Sequence, residues 1–549
     1  MPSVPRSARR DDPEGLSVPD VAGRSEGERE RSKLTGRAGI VGLGTLVSRV
    51  LGLFRDMTLA AVFGRAETDA FFVAFTIPNA LRQLLGEGAV ASAVVPVLTA
   101  KLATETEEAA KDFFAKVRAV SLVALTLVTA LGVAFAGPLC ELFATGYHAR
   151  ANAFDRTVTL TRIVFPYIFF MGSAALGMAA LNAKRRFGVA AFAPGLLNVA
   201  FIACAFLLPG PLTRAGMDPA WAMGIGALVG GALQVAAQLP ALRAIGYGGL
   251  PRFNLLAALR DPGVRDVLRR LAPMTFGIGV YYVDLVLSRR FLSELPQGSQ
   301  SYFSWAMRLC DFPQGIFVMA LSTAALPSLS TFAAKKEWGE LRMTYAHGMR
   351  LALFIAIPCS VALVALGEPI VRALFERGAF DALASRETAR ALVWQGGAIW
   401  TVAVVRQVVP VYYALGDTRT PVVVSALDLT AFIVLALVLR GPMGQAGISA
   451  AVAGSSAVQM LLLVVFVRRK LGGLEVRDIG ASVVRTVVSS SIAGVAAYAV
   501  ARLCGVSSHV IPGIAAVGVF SAMFVIVAWG VRSAELAEIT SALRRRLAR

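Results

Sequence analysis

The stretch FFVAFTIPNALRQLLGEGAVASAVVPVL, from Phe71 to Leu98, aligns without gaps with YFSWAMRLCDFPQGIFVMALSTAALPSL, from Tyr302 to Leu329. The two stretches lie 231 positions apart, and their aromatic residues, small-residue pattern and final Pro-x-Leu coincide. A shorter pair, ALNAKRRF at Ala180–Phe187 and ALGDTRTP at Ala414–Pro421, has a similar offset of 234. Chance similarity between apolar helices is the alternative. An internal repeat of this kind is typical of alternating-access transporters.

The composition indicates an integral membrane protein. Of 549 residues, 56% are hydrophobic and only 16% are charged, against about 25% charged in soluble chains. The mean hydropathy is +0.65. The net charge of +19 does not indicate nucleic-acid binding, because the one long polar stretch, 1–33, is nearly neutral. The basic surplus lies in short loops between apolar runs, where Lys and Arg set membrane topology.

The apolar runs predict an all-α polytopic fold with about fourteen membrane helices, each needing roughly 20 mainly apolar residues. An even number of spans puts both termini on one side, and basic loops such as Lys184–Arg186 and Arg468–Lys470 indicate that this side is cytoplasmic. The predicted spans begin near Leu34, Asp69, Val117, Thr157, Val189, Ala220, Leu271, Ser299, Met349, Ala389, Pro421, Gln445, Val483 and His509.

The repeat divides these spans into two six-helix lobes followed by two further helices. We expect a disordered N-terminal tail and a basic C-terminal tail, both on the cytoplasmic side. The predicted segments are the tail 1–33, the N-lobe 34–248, an amphipathic connector 249–270, the C-lobe 271–470, the last two spans 471–533 and the tail 534–549.

Catalytic and cofactor motifs are missing from the sequence. The dipeptide Gly-Lys does not occur, which removes the P-loop of an ATP-driven motor. His148, His347 and His509 lie far apart, so neither a metal site nor a catalytic triad is indicated. We therefore expect no enzyme activity, no metal and no cofactor.

Four arginines, Arg49, Arg55, Arg82 and Arg308, lie within predicted spans. If all of them faced lipid, the cost would be on the order of 10–14 kcal/mol. They must therefore face a wet cavity, pair with acids or lie at the interface. Guanidinium groups bind phosphate oxygens bidentately, so a cationic cavity between the lobes would suit a phosphate-bearing substrate.

Acidic residues near these arginines offer the structural alternative of simple salt bridges. Asp56 shares a helix face with Arg49, Glu87 follows Arg82, and Asp311 follows Arg308. Pro78 and Pro313 interrupt the second and eighth spans, and broken helices near the membrane midplane are common at transport sites.

Six motifs resemble the MurJ (MviN) lipid II flippases, a family within the multidrug/oligosaccharidyl-lipid/polysaccharide exporter superfamily. They occur in order over nearly the whole chain after the tail. The motifs are SRVLGLFRD (48–56), TDAFFVAFTIPN (68–79), LRQLLGEGA (81–89), FAPGLLN (192–198), QLPALRAIG (238–246) and RLCDFPQGIF (308–317).

The resemblance implies that undecaprenyl-pyrophosphoryl-MurNAc-pentapeptide-GlcNAc, or lipid II, moves from the cytoplasmic to the periplasmic leaflet of the bacterial inner membrane for peptidoglycan synthesis. It implies a lipid-tail groove along the last two spans and, as partners, membrane lipids and proteins of cell-wall synthesis and division. The four arginines match the family's functional arginines, and Asp69 and Glu87 match its acidic positions. Arg406 occupies a place that is basic in some relatives.

Two departures from the family pattern affect the predicted site. Met307 stands where relatives often have an acid before the arginine, so Asp311 is the candidate gating partner. Ser288 stands where relatives often have aspartate, and Asp284 lies one turn earlier. Asp284 with Asp428 is a candidate monovalent-cation site, with an ordinary hydrogen-bonded acid as the alternative. Transport could instead be coupled to the membrane potential.

Two other functions remain open from the sequence. The first is export of another lipid-linked oligosaccharide or of drugs, with the same architecture and a different cargo. The second is a non-transporting scaffold for cell-wall enzymes, for which arginines in the core would be dispensable.

Overall fold

The computed structural model describes residues 26–85, 89–249, 255–277, 279–315, 319–504 and 509–547. Across these residues the regular elements are 24 α-helices and one short 3-10 helix, without a β-strand. The first group of helices forms the N-lobe. Its members are α1 (Glu26–Val62), α2 (Arg65–Leu85), α3 (Ala89–Thr104), α4 (Glu107–Ala134), α5 (Ala136–Ala144), the 3-10 helix (Thr145–Ala149), α6 (Ala153–Val164), α7 (Tyr167–Ala183), α8 (Phe187–Leu207), α9 (Pro209–Arg214) and α10 (Trp221–Ala244).

Two connector helices lead to the C-lobe, and three helices complete the chain. The connector is α11 (Leu255–Arg260) and α12 (Pro262–Gly277). The C-lobe contains α13 (Gly279–Ser293), α14 (Ser299–Pro313), α15 (Met319–Lys335), α16 (Trp338–Ala365), α17 (Gly367–Phe375), α18 (Ala382–Gly397), α19 (Ile399–Ala414), α20 (Arg419–Met443) and α21 (Gln445–Leu471). The last helices are α22 (Val476–Leu503), α23 (Ile511–Gly530) and α24 (Ala534–Leu547).

Ten helical segments of the described chain are long and apolar enough to cross a membrane, so the count of fourteen is not confirmed. The ten coincide with ten of the predicted spans. The other four predicted spans correspond to α1, α2–α3, α12–α13 and α14–α15, and each of them includes residues that lie outside the described part of the chain, in backbone or in side chain, so the ten do not test them. These four regions contain Arg49, Arg82, Asp284 and Arg308, so the helices that carry the predicted site are among them.

The internal repeat is visible in the helix lengths. Helices α4 and α16 are both 28 residues long and begin 231 positions apart, at Glu107 and Trp338. Helices α5 and α17, both of nine residues, follow with the same offset, from Ala136 to Gly367. The two lobes therefore share one plan, as predicted from the sequence.

The lobes meet at one end of the molecule, which we call the closed end. The backbone N–H of Ala379 donates to the carbonyl of Ala61 at 2.8 Å, and Arg65 forms an ion pair with Asp381. An apolar cluster that includes Leu59 and Phe71 of the N-lobe and Trp305 of the C-lobe lies beside these contacts. Phe72 packs edge-on against Trp305 with ring centroids 4.7 Å apart.

The opposite end carries the basic loops, and we call it the basic end. Helix α1 ends at Val62, next to Ala61, so it runs toward the closed end. Helix α16 runs in the same direction, because α17, which follows it, ends at Phe375 shortly before Ala379. Consequently α1 begins at the basic end, at Glu26, eight residues before the predicted span start at Leu34. Helix α24 contacts the first half of α16, because Arg350 pairs with Glu535. Both described chain ends therefore lie at the basic end.

Candidate functional site

A cavity of about 930 Å³ lies between the lobes. Its lining comes from α1, α2, α7, α8 and α10 on one side and from α14, α16, α17 and α19 on the other. Thr45 near the start of the membrane part of α1, Met178 near the end of α7 and Ala190 near the start of α8 all belong to the lining, so the cavity extends toward the basic end.

Five arginines and one aspartate line this cavity, which makes it strongly cationic. They are Arg49, Arg55, Arg82, Arg308, Arg406 and Asp311. The structure thus brings the four predicted arginines together. A smaller cavity of about 270 Å³ shares Arg55, Arg308 and Asp311 with the large one and adds Asp56 and Arg289.

Asp56 joins the two lobes at the centre of the site. Its Oδ1 accepts from Arg55 Nη2 at 2.7 Å, and its Oδ2 lies 2.8 Å from Nε of Arg308 in the C-lobe. The Asp56 side chain is 3% exposed, whereas that of Arg308 is 44% exposed to the cavity. One carboxylate therefore compensates two arginines, and Arg308 keeps donors available on the cavity side.

Arg55 is held on three sides. Its Nη1 donates to Asn198 Oδ1 at 3.0 Å, and its guanidinium lies 5.5 Å from the ring centroid of Phe201. Asn198 in turn donates to the carbonyl of Ser48 at 2.9 Å, which fixes α8 against α1. Asn198 is 5% exposed, and the sequence reasoning did not select it. A buried asparagine in an apolar span was the available signal.

Arg49 and Arg82 face the same cavity from different helices. The backbone at Gly315 approaches Arg49 so closely that a Cβ built there would lie 2.4 Å from its Nη1. Within the described residues no carboxylate lies within 4.0 Å of the Arg49 guanidinium. Arg82 donates from Nε to Asn79 Oδ1 at 3.0 Å. Glu87, the acid predicted to accompany Arg82, lies outside the described residues.

The other predicted acids occupy three different settings. Asp311 is 56% exposed in the cavity wall, with Oδ2 4.0 Å from Arg308 Nη1. Asp69 lies away from the cavity, at the closed end, where its Oδ1 accepts from the backbone N–H of Ser301 at 2.9 Å. Asp284 on α13 and Asp428 on α20 are close enough to interact electrostatically.

The positions that depart from the family pattern also lie near the site. Met307 lines the smaller cavity, and Ser288 is buried. Next to Ser288, Arg289 is buried and donates to Gln300 Oε1 at 3.0 Å and to Ser304 Oγ at 2.7 Å. Arg289 was not among the predicted site residues. In the described part of the chain, no group of three His, Cys, Asp or Glu side chains could hold a metal ion.

The sequence comparisons name the same family. The family model described as lipid II flippase MurJ matches residues 59–515. The lipid II flippase MurJ of Burkholderia cenocepacia is 36% identical over 432 residues, which cover 78% of this chain and 82% of that protein. The probable lipid II flippase MurJ of Vibrio cholerae is 33% identical, covering 77% and 81%.

Solved structures agree on the fold. A structure of lipid II flippase MurJ in an inward closed conformation has a TM-score of 0.70 at 23% identity, covering 89% of this chain and 99% of that one. An inward-facing multidrug resistance transporter of the MATE family, within the MOP superfamily, has a TM-score of 0.60 at 13% identity, covering 77% and 94%.

Proposed function

Because the chain belongs to the lipid II flippase MurJ family, we propose that it is a multi-pass inner-membrane transporter that moves lipid II to the periplasmic leaflet for peptidoglycan synthesis. The observation that carries the proposal is the cavity between the lobes, with five arginines against one aspartate. A pyrophosphate is compact and multiply charged, and Arg is the side chain best suited to bind it bidentately.

The arginines of the cavity differ in how far their donors are already bonded to protein groups, so we expect them to bind the substrate differently. Arg55 is fixed by Asp56 and Asn198, so it contributes mainly positive potential. Arg49 has no carboxylate partner among the described residues, and half-exposed Arg308 can turn donors toward a ligand while it keeps Asp56. We infer that Arg49 and Arg308 make direct phosphate contacts and that Arg82 completes the clamp from α2.

The closed end and the basic end give the proposed direction of transport. The basic loops and both described chain ends lie together, and basic loops favour the cytoplasmic side. With that orientation, the periplasmic end is sealed and the cavity extends toward the cytoplasmic leaflet, where lipid II is made. Release on the other side then requires separating the lobes at Ala61–Ala379, Arg65–Asp381 and Asp69–Ser301.

We propose that the polyprenyl tail follows the outer face of the C-lobe along α22 and α23. Helix α16 has Leu363 on the cavity and Val361 against Gly494 of α22, so it separates the cavity from these two helices by one layer. Apolar side chains such as Val495 and Ile514 are exposed there, at 73% and 67%. A tail outside and a headgroup inside would let the lipid move without burying its whole length.

The return step would be driven by charge. A membrane potential contributes about 2.3 kcal/mol per elementary charge per 100 mV, so an empty cationic cavity would be drawn toward the cytoplasmic side. Asp284 and Asp428 are the proposed monovalent-cation alternative, because a cation between them would relieve their repulsion.

The function is tested in cells that depend on this chain for growth. Depleting it should lower the fraction of lipid II that a periplasmic enzyme can reach while total lipid II rises. Arg308→Lys and Arg49→Lys should restore this accessibility only partly, since they keep the charge and lose the fork geometry. Arg269→Lys, at an exposed arginine of α12 that does not line the cavity, is the matched control and should restore it fully. If accessibility is unchanged after depletion, with no second flippase present, the result would favour export of a different cargo. Full activity of Arg308→Lys and Arg49→Lys would contradict the proposed phosphate contacts of these two arginines.

A further inference from the structure

A basic cleft lies on the outside of the C-lobe, between the start of α20 and the end of α21. It has a volume of about 360 Å³ and is separate from the cavity between the lobes. Its charged rim is Arg419, Arg469 and Lys470, and apolar side chains such as Val423 and Phe466 complete the lining. We call it the C-lobe basic cleft.

Two of its three cations are uncompensated. Lys470 forms an ion pair with Asp417, and Asp417 Oδ1 also accepts the backbone N–H groups of Arg419 and Thr420 at 3.1 and 3.0 Å. The Asp417 carboxylate is therefore occupied by Lys470 and by the N-terminus of α20, and it does not compensate Arg419 or Arg469. Within the described residues no carboxylate lies within 4.0 Å of the guanidinium of Arg419 or Arg469. The cleft thus offers two exposed guanidinium groups to an anion.

The position of the cleft points to lipid. Helix α20 has the highest hydropathy of the ten candidate spans, 2.7, and the smallest buried share, 17%. Val422, Val423 and Leu427 are 56%, 58% and 46% exposed, so the first turns of α20 present an apolar surface directly beside the charged rim. Arg440, near the other end of α20, pairs with Glu294 at the closed end, which puts the cleft at the basic end.

The internal repeat supplies a counterpart on the N-lobe. A cleft of about 500 Å³ lies between the loop after α7 and the end of α10, the places that correspond to the start of α20 and the end of α21. Its cations are Lys111, Lys184, Arg186 and Arg243. It also contains an acid, because Glu107 Oε1 lies 2.9 Å from Lys184 Nζ and 3.6 Å from Lys111 Nζ. Glu107 thus compensates two of these four cations, as Asp417 compensates Lys470 in the C-lobe basic cleft, so charge alone does not distinguish the two clefts. The difference is the apolar lining, because the N-lobe cleft has only Ala244 and Ile245 where the C-lobe basic cleft has Val423, Val424 and Phe466.

We propose that the C-lobe basic cleft binds the phosphate group of an anionic membrane phospholipid, with Arg419 and Arg469 on the phosphate and the acyl chains along Val422, Val423 and Leu427. Basic pockets between membrane helices suit such headgroups, because the phosphate meets cations at the depth where the chains meet apolar side chains. Its residues do not line the cavity between the lobes, so the proposal does not rest on lipid II transport.

The test is native mass spectrometry of the full-length protein in detergent, titrated with phosphatidylglycerol or with phosphatidylcholine of the same acyl chains. The protein should bind phosphatidylglycerol more tightly. The double variant Arg419→Gln/Arg469→Gln should lose about thirtyfold in affinity for it, given the contribution of each basic residue near an anionic lipid. Lys111→Gln/Arg243→Gln, the matched change in the N-lobe cleft, should lose less than about threefold.

Four outcomes would overturn the assignment. They are equal binding of the two lipids, an unchanged affinity in Arg419→Gln/Arg469→Gln, an equal loss in both double variants, and release of the lipid by millimolar inorganic phosphate, which would identify a site for free phosphate. Thermal unfolding without added lipid controls for folding, and both double variants should match the unsubstituted protein there. A lower unfolding temperature confined to the Arg419/Arg469 variant would assign these side chains to structure and overturn the proposal as well.

Discussion

Asp69 of the N-lobe caps the N-terminus of α14, a C-lobe helix, through Ser301. Its Oδ1 accepts the backbone N–H of Ser301 at 2.9 Å and the Ser301 hydroxyl at 2.7 Å, while Oδ2 accepts the backbone N–H of Gly298 at 2.6 Å. An acidic acceptor at a helix N-terminus normally comes from the same segment of chain. Here it comes from the other lobe, so the backbone N–H groups at the start of α14 keep this acceptor only while the two lobes are in contact at the closed end.

Asp69→Asn should therefore loosen the closed end. The amide keeps one acceptor and loses the charge, and we expect a loss of about 2–4 kcal/mol in the free energy of closing. Hydrogen–deuterium exchange at the first turn of α14 should rise. Asp381→Asn is the control, because its ion pair with Arg65 also joins the lobes but is half-exposed and worth less than about 1 kcal/mol. Equal exchange in the two variants would contradict the role of Asp69.

Asp56→Asn should destabilise the protein more than Asp311→Asn. Asp56 is 3% exposed between two arginines, and removing the charge of a buried pair costs about 3–5 kcal/mol. Asp311 is 56% exposed and its closest contact with Arg308 is 4.0 Å, so we expect less than about 1 kcal/mol. Thermal unfolding in detergent measures both. A larger effect at Asp311 would mean that the central bridge lies elsewhere.

Gly378→Ala should weaken the closed end. Gly378 has φ +58°, and a Cβ there would lie 2.2 Å from the carbonyl oxygen of Ala61. Gly416→Ala separates the two effects, because Gly416 has φ +72° with nothing within 4 Å of a built Cβ. We expect a cost of about 1 kcal/mol from backbone strain alone in Gly416→Ala and clearly more in Gly378→Ala. Thiol labelling of a cysteine placed at Ala61 should become faster only in Gly378→Ala, and equal rates would refute the clash.

Gly315→Ala should reduce transport without reducing stability. The added methyl group would lie 2.4 Å from Arg49 Nη1, and a flexible guanidinium can move aside at little cost. Arg49 would then be displaced from the cavity, and we expect transport to fall severalfold. Gly52→Ala is the control, since Gly52 also lines the cavity and a Cβ there meets Asn198 only at 3.8 Å. The accessibility of lipid II to a periplasmic enzyme is the readout, and equal activity in both variants would exclude the displacement.

Docking of α24 should depend on pH through Glu535. Burial alone raises the pKa of this carboxyl, but hydrogen bonds from its own backbone amide, Arg350, Ser533 and Ser482 lower it below the usual 4.5. A lowered pKa in the docked state means that the stabilisation is complete above about pH 4.5 and is lost as the pH falls below it. Proteolysis of α24 should therefore accelerate in that range. Glu535→Gln should be cleaved rapidly and independently of pH, and a persistent pH dependence would point to another group.

Much of the site was predictable because its arginines lie inside otherwise apolar spans. Arg49, Arg55, Arg82 and Arg308 were selected on the cost of burying charge, and the structure gathers them in one cavity. The ten apolar spans and the repeat followed from hydropathy and alignment. By contrast, the pairing of Asp69 with Ser301 depends on how two distant segments pack, and nothing in the local sequence of either one encodes it.

The charged residues on α1, α2 and α14 also bear on how the chain is inserted into the membrane. Asp56 is synthesised 252 residues before Arg308, its partner in the C-lobe, and Asp69 precedes Ser301 by 232 residues. Until α14 reaches the bilayer, α1 and α2 carry arginines and carboxylates whose transfer from the translocon into lipid costs free energy. We therefore expect insertion of the N-lobe to be completed only when the C-lobe is present. For the cell's quality control the two lobes are one unit, and an N-lobe made alone is expected to be degraded rather than stored as half a transporter.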